Sequence, residues 1–139
     1  MFNFFLTHAR NGEKVISMSD RLYREVLLER LSNPVNQGVL DRPDLEARLV
    51  NPLCGDEVLL QLSVKNGVIE QAVYSGNGCA ISQVSASFLA EKIQGQKLSF
   101  VENIKKQDLL GLIGIQPGPA RLKCALLSLE VLKKTLAQL

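Results

Sequence analysis

Val58-Leu-Leu-Gln-Leu-Ser-Val-Lys-Asn-Gly-Val-Ile-Glu-Gln-Ala-Val-Tyr-Ser75 is the stretch whose reading decides the fold. Val58, Leu60, Leu62 and Val64 recur at every second position, the period of a strand with one buried face. Asn66-Gly67 follows, the pair best suited to a two-residue hairpin turn because both positions tolerate positive φ. Val68 to Ser75 is then the returning strand. An unbroken hairpin of this kind pairs Lys65 with Val68, so that Val64 faces Ile69, Leu60 faces Val73 and Val58 faces Ser75. Continued outward, the same register sets Cys54 opposite Cys79, and directly opposed residues carry their Cβ atoms about 4.5–5.5 Å apart. Asp56 lies two residues from Cys54, on the same side of an extended chain. Gly55, Gly76 and Gly78 make the register approximate at this end. One hairpin is thus expected to gather Cys54, Asp56 and Cys79.

Working outward on the N-terminal side, Leu45, Ala47 and Leu49 alternate with Glu46 and Arg48, which predicts a short third strand. Asn36-Gln-Gly38 reads as a turn. A helix is expected from Ser19 as N-cap, with Asp20 at its positive end and an apolar stripe of Leu22, Val26, Leu27 and Leu31. Asn33-Pro34 stops it, since proline cannot continue a helix and disfavours helix in the residue before it. Residues 1–17 form an extension without periodicity, followed by Met18, a second plausible start.

On the C-terminal side, Gly76-Asn-Gly-Cys79 leads into a helix that buries Ile81, Val84, Phe88 and Ile93 and closes at Gly95. Ser99-Phe-Val-Glu102 fits a capping box that opens a further short helix, ended by Gly111 and Gly114. Gln116-Pro-Gly-Pro119 is a loop, with Pro119 suited to a first helical turn. Leu122, Ala125, Leu126, Leu129, Leu132 and Leu136 then mark the last helix by their three-four spacing. These elements predict an α+β fold, a small antiparallel three-stranded sheet packed against about four helices. With no internal repeat or linker, residues 18–139 read as a single domain.

Composition narrows the function classes. The chain has 139 residues, 46% of them hydrophobic, enough for one modest core. A net charge of +2 argues against nucleic acid as a partner. No apolar run reaches the roughly 18 residues that span a bilayer, so no membrane role is expected. The Phe2, Phe4, Phe5, Leu6 start lacks the basic flank and cleavage site of a signal peptide, which makes the cytoplasm the expected compartment. Thiols stay reduced there, and an odd number of cysteines does not close a disulfide framework.

The chemistry rests on Cys54, Asp56, Cys79 and Cys124. Cys79 stands at a helix N-terminus, where unpaired N–H groups and the dipole favour thiolate. Cys124 follows Arg121 and Lys123, whose charges favour thiolate and offset negative charge. Three thiolates and a carboxylate around a divalent ion leave a surplus of negative charge that these two cations would meet. A buried cysteine is commonly only a small hydrophobe, and that reading suits Cys124 better than Cys54 or Cys79. Arg121 and Lys123 read equally well as solvated helix residues, and Asp56 as a turn-stabilising side chain. Cysteine–histidine hydrolysis needs a base within hydrogen-bond reach, and the single histidine, His8, is poorly placed in the extension. Asp41 and Asp44 sit in a polar turn and read as surface. Zinc takes sulfur and carboxylate ligands tetrahedrally, whereas iron–sulfur clusters are usually held by four thiolates. Spacing does not choose between them.

Asn51-Pro-Leu-Cys-Gly-Asp56, Gly76-Asn-Gly-Cys-Ala-Ile-Ser82 with Ser85-Ala-Ser87, and Ala120-Arg-Leu-Lys-Cys124 together resemble the NifU N-terminal/IscU-like family. The likeness runs from about Ser19 to the C-terminus and takes in Leu22-Tyr-Arg24 and Asn33-Pro34. It implies an α+β fold and work in iron–sulfur cluster assembly. Within the family the chain looks most like the SufU branch. IscU scaffolds typically place a histidine where Lys123 stands, and a Leu-Pro-Pro-Val-Lys motif near Gln116-Pro-Gly-Pro-Ala-Arg121. The SufU resemblance implies Zn2+ held by Cys54, Asp56, Cys79 and Cys124, with Cys54 as acceptor of persulfide sulfur from a cysteine desulfurase of SufS type. It ties Arg121 to that exchange. One departure is plain: SufU proteins usually carry an insertion between the second and third cysteines, and Ala80 to Lys123 is too short to contain it.

Three readings follow. The first is a zinc-containing sulfur acceptor, an assembly protein more than an enzyme, serving a downstream scaffold or apo iron–sulfur proteins. The second is an IscU-like scaffold carrying a [2Fe-2S] cluster or iron on the same residues. The third is a zinc-stabilised interaction module.

Overall fold

The computed structural model describes residues 24–53, 55–114 and 117–139. The expected N-terminal extension, His8, the Ser19 cap and Cys54 lie outside these residues. The described chain is helical over 24–32 (α1), then runs β1 (Leu45–Val50), β2 (Glu57–Lys65) and β3 (Val68–Asn77). Four helices follow: α2 (Ala80–Ile93), α3 (Leu98–Val101), α4 (Lys106–Ile113) and α5 (Pro119–Leu136). The sheet is antiparallel in the order β1-β2-β3. This is the α+β architecture expected, with one helix more.

The alternation in β1 and β2 does what the sequence predicts. Leu45, Ala47, Val58, Leu60 and Leu62 point into the core, where Leu89, Ala90 and Ile93 of α2 and Leu126, Leu129 and Leu132 of α5 meet them. Asn66 and Gly67 take φ of 53° and 75°, as the tight turn requires.

The hairpin register departs from the expected one. Lys65–Val68 and Val64–Ile69 pair as predicted, but Ser63 then faces Gln71, Leu60 faces Tyr74 and Val58 faces Gly76. Glu70 is the extra residue of a β-bulge. The cause is the consecutive polar pair Glu70-Gln71. Strict alternation from Ile69 would turn Gln71 and Val73 inward and Tyr74 outward. The bulge absorbs one residue, so Ile69, Ala72 and Tyr74 are all buried. The ladder ends at Glu57–Asn77, and the expected juxtaposition of Cys54 with Cys79 does not follow from it.

Two other expectations are corrected. Ser99 does not cap a helix; Lys97 holds the N-cap of α3, which ends at Glu102 after a single turn. A separate helix, α4, opens at Lys105, whose N–H donates to the Asp108 carboxylate at 2.8 Å. Gly111 lies within α4, and Gly114 ends it at φ 78°. On α1, Val26 and Leu27 are half-buried, but Leu31 is exposed rather than part of a buried stripe.

The outer edge of β3 is covered from both ends. Near Tyr74, the Gly38 N–H donates to the Tyr74 carbonyl and the Tyr74 N–H to the Asn36 carbonyl. Near the turn, the Ile69 N–H donates to the Gln96 carbonyl and the Leu98 N–H to the Gly67 carbonyl. Residues 36–38 therefore do more than turn: they cap a sheet edge that would otherwise be open to pairing.

Candidate metal centre

Asp56, Cys79 and Cys124 come together where the β2–β3 hairpin meets α5. One ligand atom from each lies within 4.8 Å of the others. Asp56 precedes β2 and is 1% exposed, unusual for a carboxylate. Its two carboxylate oxygens explain the position. Oδ1 accepts the Cys79 backbone N–H at 2.7 Å, and Oδ2 accepts the Cys79 thiol at 3.3 Å. Cys79 is exposed and forms the N-cap of α2 with extended backbone. Cys124 is buried in the first half of α5, against Ile81, Ala125 and Leu110. The site therefore has an apolar floor, a buried carboxylate on one wall and one thiol facing outward.

The approach of the two strand ends depends on glycine. Gly78 has φ 136°, and a Cβ there would collide with the Asp56 carboxylate and Cα. At Gly76 a Cβ would collide with the Glu57 carbonyl. Around the position of Cys54, the loop is stitched by the Gly55 N–H to the Asn51 carbonyl and the Asn51 N–H to the Asp56 carbonyl, each at 2.7 Å. Gly55 takes φ 74°, which lets the chain reverse directly before Asp56.

The donor set fits a thiophilic divalent cation. Ligand atoms around tetrahedral zinc stand about 3.5–3.8 Å apart, given Zn–S near 2.3 Å and Zn–O near 2.1 Å. Sulfur, sulfur and oxygen gathered within 4.8 Å are close to that arrangement before any adjustment. The Cys79 sulfur and Asp56 Oδ2 already stand 3.3 Å apart, near the separation of neighbouring ligands on one ion. Asp56, Cys79 and Cys124 would hold the ion.

Of the residues expected at the site, these three are brought together. Arg121 and Lys123 are exposed on the first turns of α5, and among the described residues neither is ion-paired. Sequence reading missed Gln83. Its Nε2 donates to the Asn77 carbonyl at 3.1 Å, the Glu57 carbonyl at 3.3 Å and Ser82 Oγ at 3.1 Å. A signal was present, for Gln83 lies four residues after Cys79 and so on the same helix face. It also missed the Arg48–Glu57 ion pair, a diagonal contact across β1 and β2 that ties down the residue after Asp56.

The model of the NifU-like N terminal domain matches residues 22–139. The chain belongs to that family. Among curated relatives, the zinc-dependent sulfurtransferase SufU of Bacillus subtilis is 32% identical over 136 residues, covering 86% of this chain and 92% of its own. The iron–sulfur cluster assembly scaffold protein IscU of Thermotoga maritima is 31% identical over 134 residues, covering 85% and 94%. The N-terminal part of a nitrogen-fixing NifU-like protein from Brucella abortus has the same fold, with TM-score 0.71, 21% identity and coverage of 86% and 94%. Within the NifU-like N terminal domain family, then, this chain stands at similar distance from a sulfurtransferase and a scaffold.

Proposed function

We propose that this chain is an iron–sulfur cluster assembly protein that works as a zinc-containing sulfur acceptor in the cytoplasm. The observation that carries the reading is the convergence of Asp56, Cys79 and Cys124 on one point, with Cys79 exposed. Similarity over most of its length to a zinc-dependent sulfurtransferase supports it. No described helix is long and apolar enough to cross a membrane.

Bound zinc would hold the thiols as thiolates and fix their geometry. In this reading Cys54 completes the ligand set and receives sulfur. Its thiolate attacks the outer sulfur of a persulfide on a cysteine desulfurase of SufS type. A new S–S bond forms on Cys54, the donor's S–S bond breaks, and the donor cysteine leaves as thiolate. Arg121, exposed one turn before Cys124, supports the exchange by its charge toward the anionic donor. The persulfide then passes to a downstream scaffold or apo iron–sulfur protein.

The experiment is elemental and sulfide analysis of protein purified anaerobically without added metal, followed by sulfur-acceptance assays. One zinc per chain without sulfide, and loss of acceptance in Cys54→Ala, are expected. Full acceptance by Cys54→Ala would refute the role of Cys54. Iron with matching sulfide would establish a second reading, a scaffold for a [2Fe-2S] cluster. That alternative is favoured by the near-equal likeness to IscU.

A further inference from the structure

We infer that Gln83 is a positioning residue for the metal centre, a brace that holds Asp56 and Cys79 in ligating register from the side away from the cation. The inference rests on the reading of Asp56, Cys79 and Cys124 as a metal site. Glu57 and Asn77 are the last facing pair of the β2–β3 ladder. Asp56 comes one residue before that pair on one strand, and Cys79 two residues after it on the other. Beyond the last rung no ladder bond keeps the two strand ends together, and Gly76 and Gly78 leave the backbone conformationally free there. The Gln83 amide closes this gap. Its NH2 group reaches the carbonyls of both Glu57 and Asn77, joining the strands from the helix that Cys79 begins. The same residue's backbone N–H donates to the Cys79 carbonyl at 3.3 Å.

The orientation of the amide is dictated. Turned over, Oε1 would face two carbonyl oxygens and lose both bonds. In the orientation adopted, Oε1 is buried and has no partner among the described residues. A buried acceptor left unpaired opposes folding, a cost set against the bonds that the same amide donates. Gln83 makes physical sense when its bonds to the two strand carbonyls matter more than that loss. Those bonds bear on Asp56 and Cys79 and on nothing else in the site.

The test is cation affinity of the full chain, measured for zinc by competition with a chromophoric chelator. Cobalt(II) absorption would report the tetrahedral thiolate geometry. Gln83→Met keeps length and removes the donors; Gln83→Lys restores donors of similar reach. The expected result is binding about 10–100-fold weaker in the Met variant, the usual range for losing a group that orients a ligand. The Lys variant should recover most of the affinity, and the metal-free melting temperature of the Met variant should move little. Faster hydrogen exchange at the Cys79 amide would accompany the loss. Should the Met variant not fold, Gln83→Asn, which keeps the amide but not the reach, is expected to show the same weakening. Wild-type affinity in the Met or Asn variant, or a Lys variant as weak as Met, would overturn the brace while leaving the metal site standing. A wild-type chain that binds neither zinc nor cobalt would overturn both.

Discussion

A single methyl group separates this site from a disrupted one. Gly78 combines a backbone angle that side chains rarely adopt with contact against the Asp56 carboxylate. Gly78→Ala therefore faces a backbone cost of about 1–3 kcal/mol and must also push Asp56 away from the Cys79 N–H. The expected outcome is a lower melting temperature together with loss of stoichiometric zinc. Gly118→Ala is the control, since a Cβ there meets nothing within 4 Å. A Gly78→Ala protein that binds zinc as tightly as wild type would show that Asp56 does not need this close approach. The sequence made the glycines visible but not their purpose. They read there as breaks in a ladder, whereas one of them is the clearance that lets a buried carboxylate hold the next residue's backbone.

At the scale of elements, the strands and the last helix were legible because their periods are clean and their turn chemistry is specific. Val58 to Val64 alternate, Asn66-Gly67 turns, and Leu122 to Leu136 keep a helical spacing. The hairpin register was not, because one residue of slack leaves each strand's composition unchanged while shifting its partner. Only the pair Glu70-Gln71, polar twice in succession, betrays it. This yields a prediction. Deleting the exposed Glu70 should remove the bulge while keeping every other pairing, because Ile69, Gln71, Ala72, Val73 and Tyr74 then alternate in-out-in-out-in. Stability within about 1 kcal/mol of wild type is expected, as for a surface change. Deleting Val73 instead forces Ala72 and Tyr74 out of phase and should cost about 3 kcal/mol or more. Thermal melts of the two deletions would decide. Equal destabilisation would mean that the bulge's bend itself is required. The site follows the same pattern: the cysteines and Asp56 were legible by their local settings, while Gln83 was hidden because its role is with backbone carbonyls that no sequence pattern displays.

Across the molecule, the N-terminal segment is fastened to the body by polar contacts around Tyr74 and Ser87. Ser87 Oγ donates to the Val35 carbonyl at 2.7 Å, and Arg30 reaches Ser87 Oγ at 3.3 Å. Arg30 also pairs with Glu91 at 2.8 Å and lies 4.0 Å over the Phe88 ring. Burial pushes the Tyr74 phenol above its ordinary value near 10, against the opposing pulls of its bond to Ser87 and the Arg30 charge. Because the folded value is raised, the contribution of neutral Tyr74 is fully present below pH about 10 and is lost as pH rises through the folded value. Tyr74→Phe loses the Ser87 bond, about 1 kcal/mol at neutral pH, but has no phenol to ionise. The stability gap between wild type and Tyr74→Phe should therefore shrink above pH 10, as followed by urea melts. A constant gap would place the titration elsewhere.

The main core does not depend on the metal centre. Leu60, Leu62, Ile69 and Tyr74 pack with Leu89, Ile93, Leu129 and Leu132 in one cluster, whereas Ile81, Cys124 and Ala125 form a small separate one at the site. Chelation should consequently leave a folded protein with a cooperative melt, unlike a zinc finger, which unfolds without its ion. Zinc at a hundredfold excess over its Kd stabilises by about 2.7 kcal/mol, which for a chain of this size raises Tm by roughly 8–12 °C. The measurement is calorimetry of one preparation before and after chelator dialysis. A sharp transition that moves down by about that amount fits a cation held on a preformed scaffold, able to exchange ligands without loss of the fold. Loss of the transition altogether would instead make the ion a structural pillar. A protein that must release one cysteine to accept sulfur cannot rest its whole fold on that ion, so this outcome would favour the interaction module over sulfur transfer.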